Sequence, residues 1–251
     1  MGSSLKHKVA VVTGGAGGIG AVICRHLAEA GASVVVGYNS SREPAERLAA
    51  ELPCADKPHL ALRAPVTDSA ALAEMAGAVE HHYGRCDLLV NCAGTTQFVA
   101  HHDLDGLDDA LFDRILATNV RGPFASVRAF RKLLDLHGNG LVVNISSIAA
   151  VSAMGSNVAY CASKAAIDNM TRALARALAP TIRVVSVSPG LADTEFVKQL
   201  DQNWRDEQAT RTPLRRLANP DEVAAAVLAV ATHLTFTTGA VIPVDGGRTL
   251  S

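Results

Sequence analysis

Short unbroken apolar runs alternate along this chain with longer stretches in which apolar residues return every three or four positions. The runs read as strands and the stretches as helices with one face turned inward. Val9 to Val12, Ser33 to Gly37, Leu60 to Arg63, Asp87 to Val90, Val142 to Ile145 and Ile182 to Val187 are six such strands, and Thr238 to Gly247 holds a closing seventh. Ile19, Ile23, Leu27 and Ala30 recur with a helical period until Gly31, and Ala45, Leu48, Ala49 and Leu52 form the inward side of a second helix. Further helices are predicted from Ser69 to about Tyr83, around Leu111, Ile115 and Leu116, through Phe130 to Leu136, along Ala159, Ala162, Ala166, Met170 and Leu174, and from Pro220 through Ala231. No internal repeat or low-complexity tract interrupts the series. Strands alternating with helices imply a parallel sheet covered on both faces and joined by right-handed crossovers. The expected fold is α/β, a doubly wound seven-stranded parallel sheet with helices on both faces.

At 251 residues the chain is long enough to bury a sizeable core. No linker-like stretch divides it, so residues 1–251 are expected to form a single domain. Within it, a lid is expected at about 193–213: the stretch from Glu195 to Pro213 is polar and weakly periodic, carries the only tryptophan, Trp204, and suits a mobile cover over a substrate. The charges nearly cancel, 23 Lys and Arg against 24 Asp and Glu for a formal net of -1, so neither nucleic acid nor an anionic membrane is expected as a partner. An aromatic content of 4% also argues against base-stacking surfaces. No apolar run approaches the roughly 20 residues of a membrane helix, and Val9 to Val12 falls far short of a signal peptide's apolar region. The expectation is a cytoplasmic protein. Its five cysteines have no paired metal spacing and read as reduced thiols, with Cys161 a small packing residue. The doublets His81-His82 and His101-His102 lack a completing cluster, and no metal is expected.

Two stretches carry candidate chemistry. Thr13-Gly14-Gly15-Ala16-Gly17-Gly18-Ile19-Gly20 leads from the first strand into a helix, the arrangement in which bare amides and a helix N-terminus receive a pyrophosphate. Gly15, Gly17 and Gly20 fit one glycine register, and Thr13-Gly14 with Gly18 and Gly20 fits another. In the second stretch Tyr160 and Lys164 stand four apart on a predicted helix and share a face. A phenol with a pKa of about 10 is a poor acid or base at neutral pH. A neighbouring ammonium favours the phenolate and makes the group usable for proton transfer. Ser146 and Ser147 follow a strand, at the sheet edge where open α/β folds bind ligands.

Ser147, thirteen residues before Tyr160, and the Tyr160-x-x-x-Lys164 spacing resemble the active-site segment of the short-chain dehydrogenase/reductase family, and the resemblance covers nearly all of the chain. It implies a Rossmann sheet and selects the register of Gly14, Gly18, Ile19 and Gly20. There Gly14 permits the turn, Gly18 admits the phosphate and Gly20 lets the helix pack closely. Asn91-Cys92-Ala93-Gly94 is similar to the family's Asn-Asn-Ala-Gly, in which Asn91 ties neighbouring strands while Ala93 and Gly94 leave room for adenosine. Thr118-Asn119-Val120 resembles the site of the family's catalytic Asn, whose role is to hold a water that links Lys164 to solvent by bending its helix. A helix-interior Asn is otherwise a poor choice by propensity. Pro189-Gly190-x-x-x-Thr194 matches the nicotinamide-side turn, with backbone near Ala192 facing the carboxamide and Thr194 offering a hydroxyl. Where the family places Asp-Val against adenine this chain has Pro65-Val66, and only Val66 carries over.

After the second strand, Tyr38-Asn39-Ser40-Ser41-Arg42 lacks the acid that binds the ribose 2′-hydroxyl of NAD. Hydroxyls, an amide and a guanidinium can all donate to a phosphate, so NADP is the expected cofactor and NAD the alternative. The family's NADP users often carry a basic residue inside the glycine turn, and Gly15-Ala16-Gly17 has none. The implied activity is reversible hydride transfer between NADP(H) and a small-molecule carbonyl or secondary alcohol. Ser147 would hold the substrate oxygen, Tyr160 move its proton, Lys164 lower the Tyr160 pKa and hold the nicotinamide ribose, and Asn119 support the relay. The runner-up is a 3-oxoacyl-[acyl-carrier-protein] reductase. An acidic carrier calls for basic residues at the entrance, and Asp135-Leu136-His137-Gly138-Asn139 and Ala179-Pro180-Thr181 offer none, which leaves Arg211, Arg215 and Arg216 of the lid. A non-catalytic NADP-binding regulator would leave Ser147, Tyr160, Lys164 and Asn119 unexplained. A dehalogenase-like lyase of the same fold replaces the glycines and the lysine, both intact here. The family pairs the helix through Phe130 and the Tyr-Lys helix across subunits. The first of these is apolar on more than one face, so a homo-oligomer, tetramer or dimer, is expected.

Overall fold

The valine-rich runs become strands buried on both faces. In this computed structural model, which describes residues 4–250, β1 (Val9–Thr13), α1 (Gly18–Glu29), β2 (Ser33–Tyr38), α2 (Arg42–Glu51), β3 (Leu60–Arg63), α3 (Ser69–Tyr83) and β4 (Leu88–Asn91) form the first half. The second half holds α4 (Asp109–Leu116), a π-helical turn (Ala117–Arg121), α5 (Gly122–Asp135), β5 (Gly140–Ile145), α6 (Ala149–Ser152), α7 (Val158–Leu178) and β6 (Ile182–Pro189). It closes with α8 (Glu195–Lys198), α9 (Gln202–Arg211), α10 (Pro220–Thr232) and β7 (Val241–Val244). All seven strands are parallel in the order β3-β2-β1-β4-β5-β6-β7. The order reverses between β1 and β4, which opens a crevice beyond their C-terminal ends. One core layer packs Ile23, Leu27, Val36, Val90 and Val227 under α1, α2 and α10. The other packs Val11, Met75, Phe130, Leu134 and Val184 under α3 and α5.

Local chemistry sets the helix ends. Asp68 caps α3 by accepting from Ala70 N and Ala71 N, and Gly84 ends that helix in the left-handed region at φ 71°. Asn219 and Glu222 form a capping box on α10. The closing strand is shorter than the apolar pattern suggests, because Gly239, Gly246 and Gly247 adopt positive φ and turn the chain at both ends. Two helices, α8 and α9, occupy the expected lid stretch; α9 buries no residue, so no apolar period marked it. The apolar breadth of α5 is taken up by the chain's own core through Val127, Phe130, Leu133 and Leu134. Its solvent side carries Phe124 among Arg128, Arg131 and Lys132.

Candidate functional site

A cleft of about 910 Å³ follows the C-terminal sheet edge from β1 and β2 across β4 to α7 and the end of β6. Gly14 makes its turn at φ 66°, where an added Cβ would sit 2.8 Å from the Ala93 Cα. Thr13 Oγ1 accepts from Cys92 N at 3.2 Å and Ala93 N at 3.3 Å, so the glycine turn and the β4 turn brace each other. A Cβ on Gly20 would strike the Gly14 carbonyl, which is why α1 can start so close to β1. The space a Cβ on Gly18 would take is bounded by Thr194 Cγ2 at 3.1 Å, so the turn after β6 folds over the glycine turn. Gly17 caps α1 without a side-chain bond. The amides of the first turn of α1, at Gly18, Ile19 and Gly20, are therefore open for an anion. A glycine cradle, open helix amides and an elongated cleft together fit a dinucleotide.

At the other end α7 delivers Tyr160 and Lys164. Asn157 starts this helix by accepting from Tyr160 N at 2.7 Å, and its Nδ2 donates to the Gln97 carbonyl at 2.7 Å. Lys164 is buried, 8% exposed; its Nζ donates to the Ile145 carbonyl at 2.9 Å and lies 5.6 Å from the Tyr160 ring centroid. An ammonium has three donors, so two are left for the phenol and a ligand. Gly155 lies against the tyrosine: a Cβ there would be 3.0 Å from Tyr160 Cδ1 and 2.9 Å from Cys161 Sγ. Asn119 sits in the π turn with its amide fully engaged. Its Oδ1 accepts from Thr95 N at 2.8 Å, while Nδ2 donates to Thr95 O at 3.0 Å and Ser163 Oγ at 3.1 Å.

Of the residues singled out in the sequence, Gly14, Gly18, Ile19, Gly20, Tyr38, Asn39, Ser40, Ser41, Val66, Ala93, Gly94, Tyr160, Lys164, Pro189, Gly190, Ala192 and Thr194 line the cleft. Four stand off its wall. Arg42 is ion-paired with Glu46 at the rim. Asn91 is buried and donates to Asn144 Oδ1 at 2.9 Å, tying β4 to β5. Asn119 is buried behind the wall, and Ser147 lies two residues past β5, its Oγ accepting from Ala149 N at 3.2 Å. The sequence did not single out Arg114 and Val197, which also line the cleft and come from segments without a motif, nor Leu191, which fills an unspecified position of the Pro189-Gly190-x-x-x-Thr194 pattern. Cys92 lines it too. Burial pushes its thiol up to about 11 although nearby Lys164 pulls it down, so it stays protonated at neutral pH and is no nucleophile.

A family model described as enoyl-(acyl carrier protein) reductase matches residues 14–249. A protein named as ketoacyl reductase 2 of the granaticin polyketide synthase of Streptomyces violaceoruber is 40% identical over 96% of each chain. The cis-4-hydroxycyclohexanecarboxylate dehydrogenase of Sinomonas cyclohexanicum is 38% identical over 99% of each. Among solved structures, a 3-ketoacyl-(acyl-carrier-protein) reductase from Brucella melitensis, complexed with NADH, is 31% identical with a TM-score of 0.88, covering 98% of this chain and 100% of that one.

Proposed function

The chain belongs to the short-chain dehydrogenase/reductase family, oxidoreductases of alcohol and carbonyl groups, and from that premise we propose an NADP(H)-dependent enzyme that interconverts a small carbonyl compound and a secondary alcohol. When bound, the nicotinamide cofactor supplies or accepts the hydride. Ser147 holds the substrate oxygen, and Tyr160 gives or takes its proton. Lys164, its ammonium beside the Tyr160 ring, would donate to the nicotinamide ribose. Asn119 fixes the π turn, and with it the backbone that the proton relay uses. The observation that carries this reading is the buried Lys164 ammonium, held by the Ile145 carbonyl 5.6 Å from the Tyr160 ring at one end of the cleft.

NADP(H) is favoured over NAD(H) because no carboxylate stands between β2 and α2 and the Ser40 and Ser41 hydroxyls line the cleft there. A free small substrate is favoured over one carried on an acidic protein because the lid's cations are already engaged. Arg211 pairs with Glu207, Arg216 forms two bonds of 2.7 Å to Glu222, and Arg215 donates to the Thr210 carbonyl at 2.7 Å. No described helix is long and apolar enough to cross a membrane, and we place the protein in the cytoplasm as a homo-oligomer. Titration with NADPH and NADH, followed by assay of small ketones and secondary alcohols, tests the reading. Tighter NADPH binding and turnover of free substrates are expected. Equal or tighter NADH binding contradicts the cofactor assignment, and turnover only on carrier protein contradicts the substrate class.

A further inference from the structure

The β2 loop offers Arg42 as the obvious cation for an adenosine 2′-phosphate, but Arg42 is already committed. Its Nε donates to Glu46 Oε1 at 2.7 Å, and the two side chains stand in solvent, 72% and 51% exposed. Glu43 adds another carboxylate to the first turn of α2. With Arg42 neutralised and Glu43 beside it, this end of the cleft has no surplus positive charge from α2 to set against a phosphate dianion.

Arg63 is placed differently. It is the last residue of β3 and stands in register with Tyr38, the last residue of β2. Alternation along the strands fixes its side. Val34, Val36 and Tyr38 of β2 and Ala61 of β3 all belong to the core layer under α1 and α2. Arg63, two residues beyond Ala61, therefore projects to that same layer, at the edge where α2 begins. Ala64, Pro65 and Val66 after it line the cleft, as do Tyr38, Asn39, Ser40 and Ser41 across the strand pair. Neighbouring strands lie about 4.8 Å apart, well within the reach of an arginine side chain. Arg63 is exposed, and among the described residues no hydrogen bond or ion pair engages its guanidinium. Ser41, the N-cap of α2, likewise makes no side-chain capping bond, so its hydroxyl is free to donate.

We propose that Arg63 is the cation that recognises the 2′-phosphate of NADP(H) and sets the preference over NAD(H), an inference that rests on the NADP(H) reading above. A guanidinium with its donors unengaged binds a phosphate in a bidentate manner. The Ser41 hydroxyl completes the site, because in the first turn of α2 the Arg42 amide already donates to the Ser40 carbonyl and Pro44 has no N–H.

Calorimetric titration of the intact protein with 2′,5′-ADP, 5′-AMP, NADPH and NADH tests this without relying on turnover. Wild type is expected to bind each 2′-phosphorylated ligand more tightly than its counterpart. Arg63→Ala is expected to weaken 2′,5′-ADP and NADPH by about tenfold or more, as loss of a charge-assisted bond implies, with 5′-AMP and NADH within about twofold. Arg42→Ala is expected to leave all four within about threefold, because that charge is already paired and solvated. Unchanged 5′-AMP affinity shows that the variant is folded. If wild type prefers 2′,5′-ADP and Arg63→Ala keeps that preference in full, the Arg63 assignment is overturned while the NADP(H) reading stands. If wild type binds 5′-AMP and NADH as tightly as the phosphorylated ligands, the NADP(H) reading falls and the inference falls with it.

Discussion

Gly155 shows how a residue with no side chain can set the position of the proposed proton donor, Tyr160. It leaves space for the Tyr160 ring and the Cys161 thiol on the helix that follows. Its φ is not in the left-handed region, so the effect of Gly155→Ala comes from the added methyl alone. The variant is expected to displace the tyrosine and lower kcat by tenfold or more, on the order expected for misplacing a proton donor, while cofactor affinity by fluorescence titration is unchanged. Asn119 acts through its amide. Asn119→Ala leaves the Thr95 amide and the Ser163 hydroxyl short of a partner, and denaturant melts are expected to show a loss of about 1–3 kcal/mol together with reduced turnover. Tyr160 and Lys164 were legible in the sequence because four residues on one helix fix their relation. Gly155 was not, since its meaning depends on contacts with a helix it precedes by several residues.

Elements join where charges are placed at their ends. Asp87, just before β4, accepts from Val9 N at 2.9 Å and Lys8 Nζ at 3.0 Å and forms two bonds with Arg85, and so fastens β1 to β4 at the edge opposite the cleft. Burial pushes its carboxyl up, but Arg85, the Val9 amide and Lys8 outweigh it and hold the pKa below the ordinary 3.8. A carboxyl depressed on folding stabilises above its unfolded pKa, and that stability is lost as pH falls through the folded value. Thermal melts are therefore expected to fall as pH drops below 3.8, and Asp87→Asn is expected to be less stable at neutral pH with a flatter acid limb. In α9, Arg205 Nη2 donates to Asp193 at 2.6 Å and Nη1 to Gln202 at 2.8 Å, with Nε buried and unpartnered. Asp193 adjoins Thr194, which folds over Gly18. Arg205→Ala is expected to speed amide exchange across residues 202–211 and raise substrate KM more than it lowers kcat. Sequence periodicity could not reveal α9, whose residues bury nothing.

For the whole molecule, burial on both faces made the strands readable, and alternation with helices then left few topologies open. The place of Arg63 was not readable, since only the pairing of β3 with β2 brings it beside Tyr38. Oligomeric state lies at the same scale. The exposed side of α7 carries Ala162, Ala165 and Ala173 beside Asn169, Arg172 and Arg176, and α5 presents Phe124 to solvent, faces that a second subunit could cover. Sedimentation velocity at micromolar concentration is expected to show a dimer or tetramer, with Ala165→Arg shifting the protein to a smaller species.

In the proposed mechanism the cleft, the glycine cradle and the lysine all serve one proton transfer at Tyr160. Turnover of the best small ketone by Tyr160→Phe, with NADPH affinity measured on the same sample, tests that transfer most directly. Loss of at least about a hundredfold in kcat with near wild-type cofactor affinity is the predicted result. Wild-type kcat from the phenylalanine variant would contradict it.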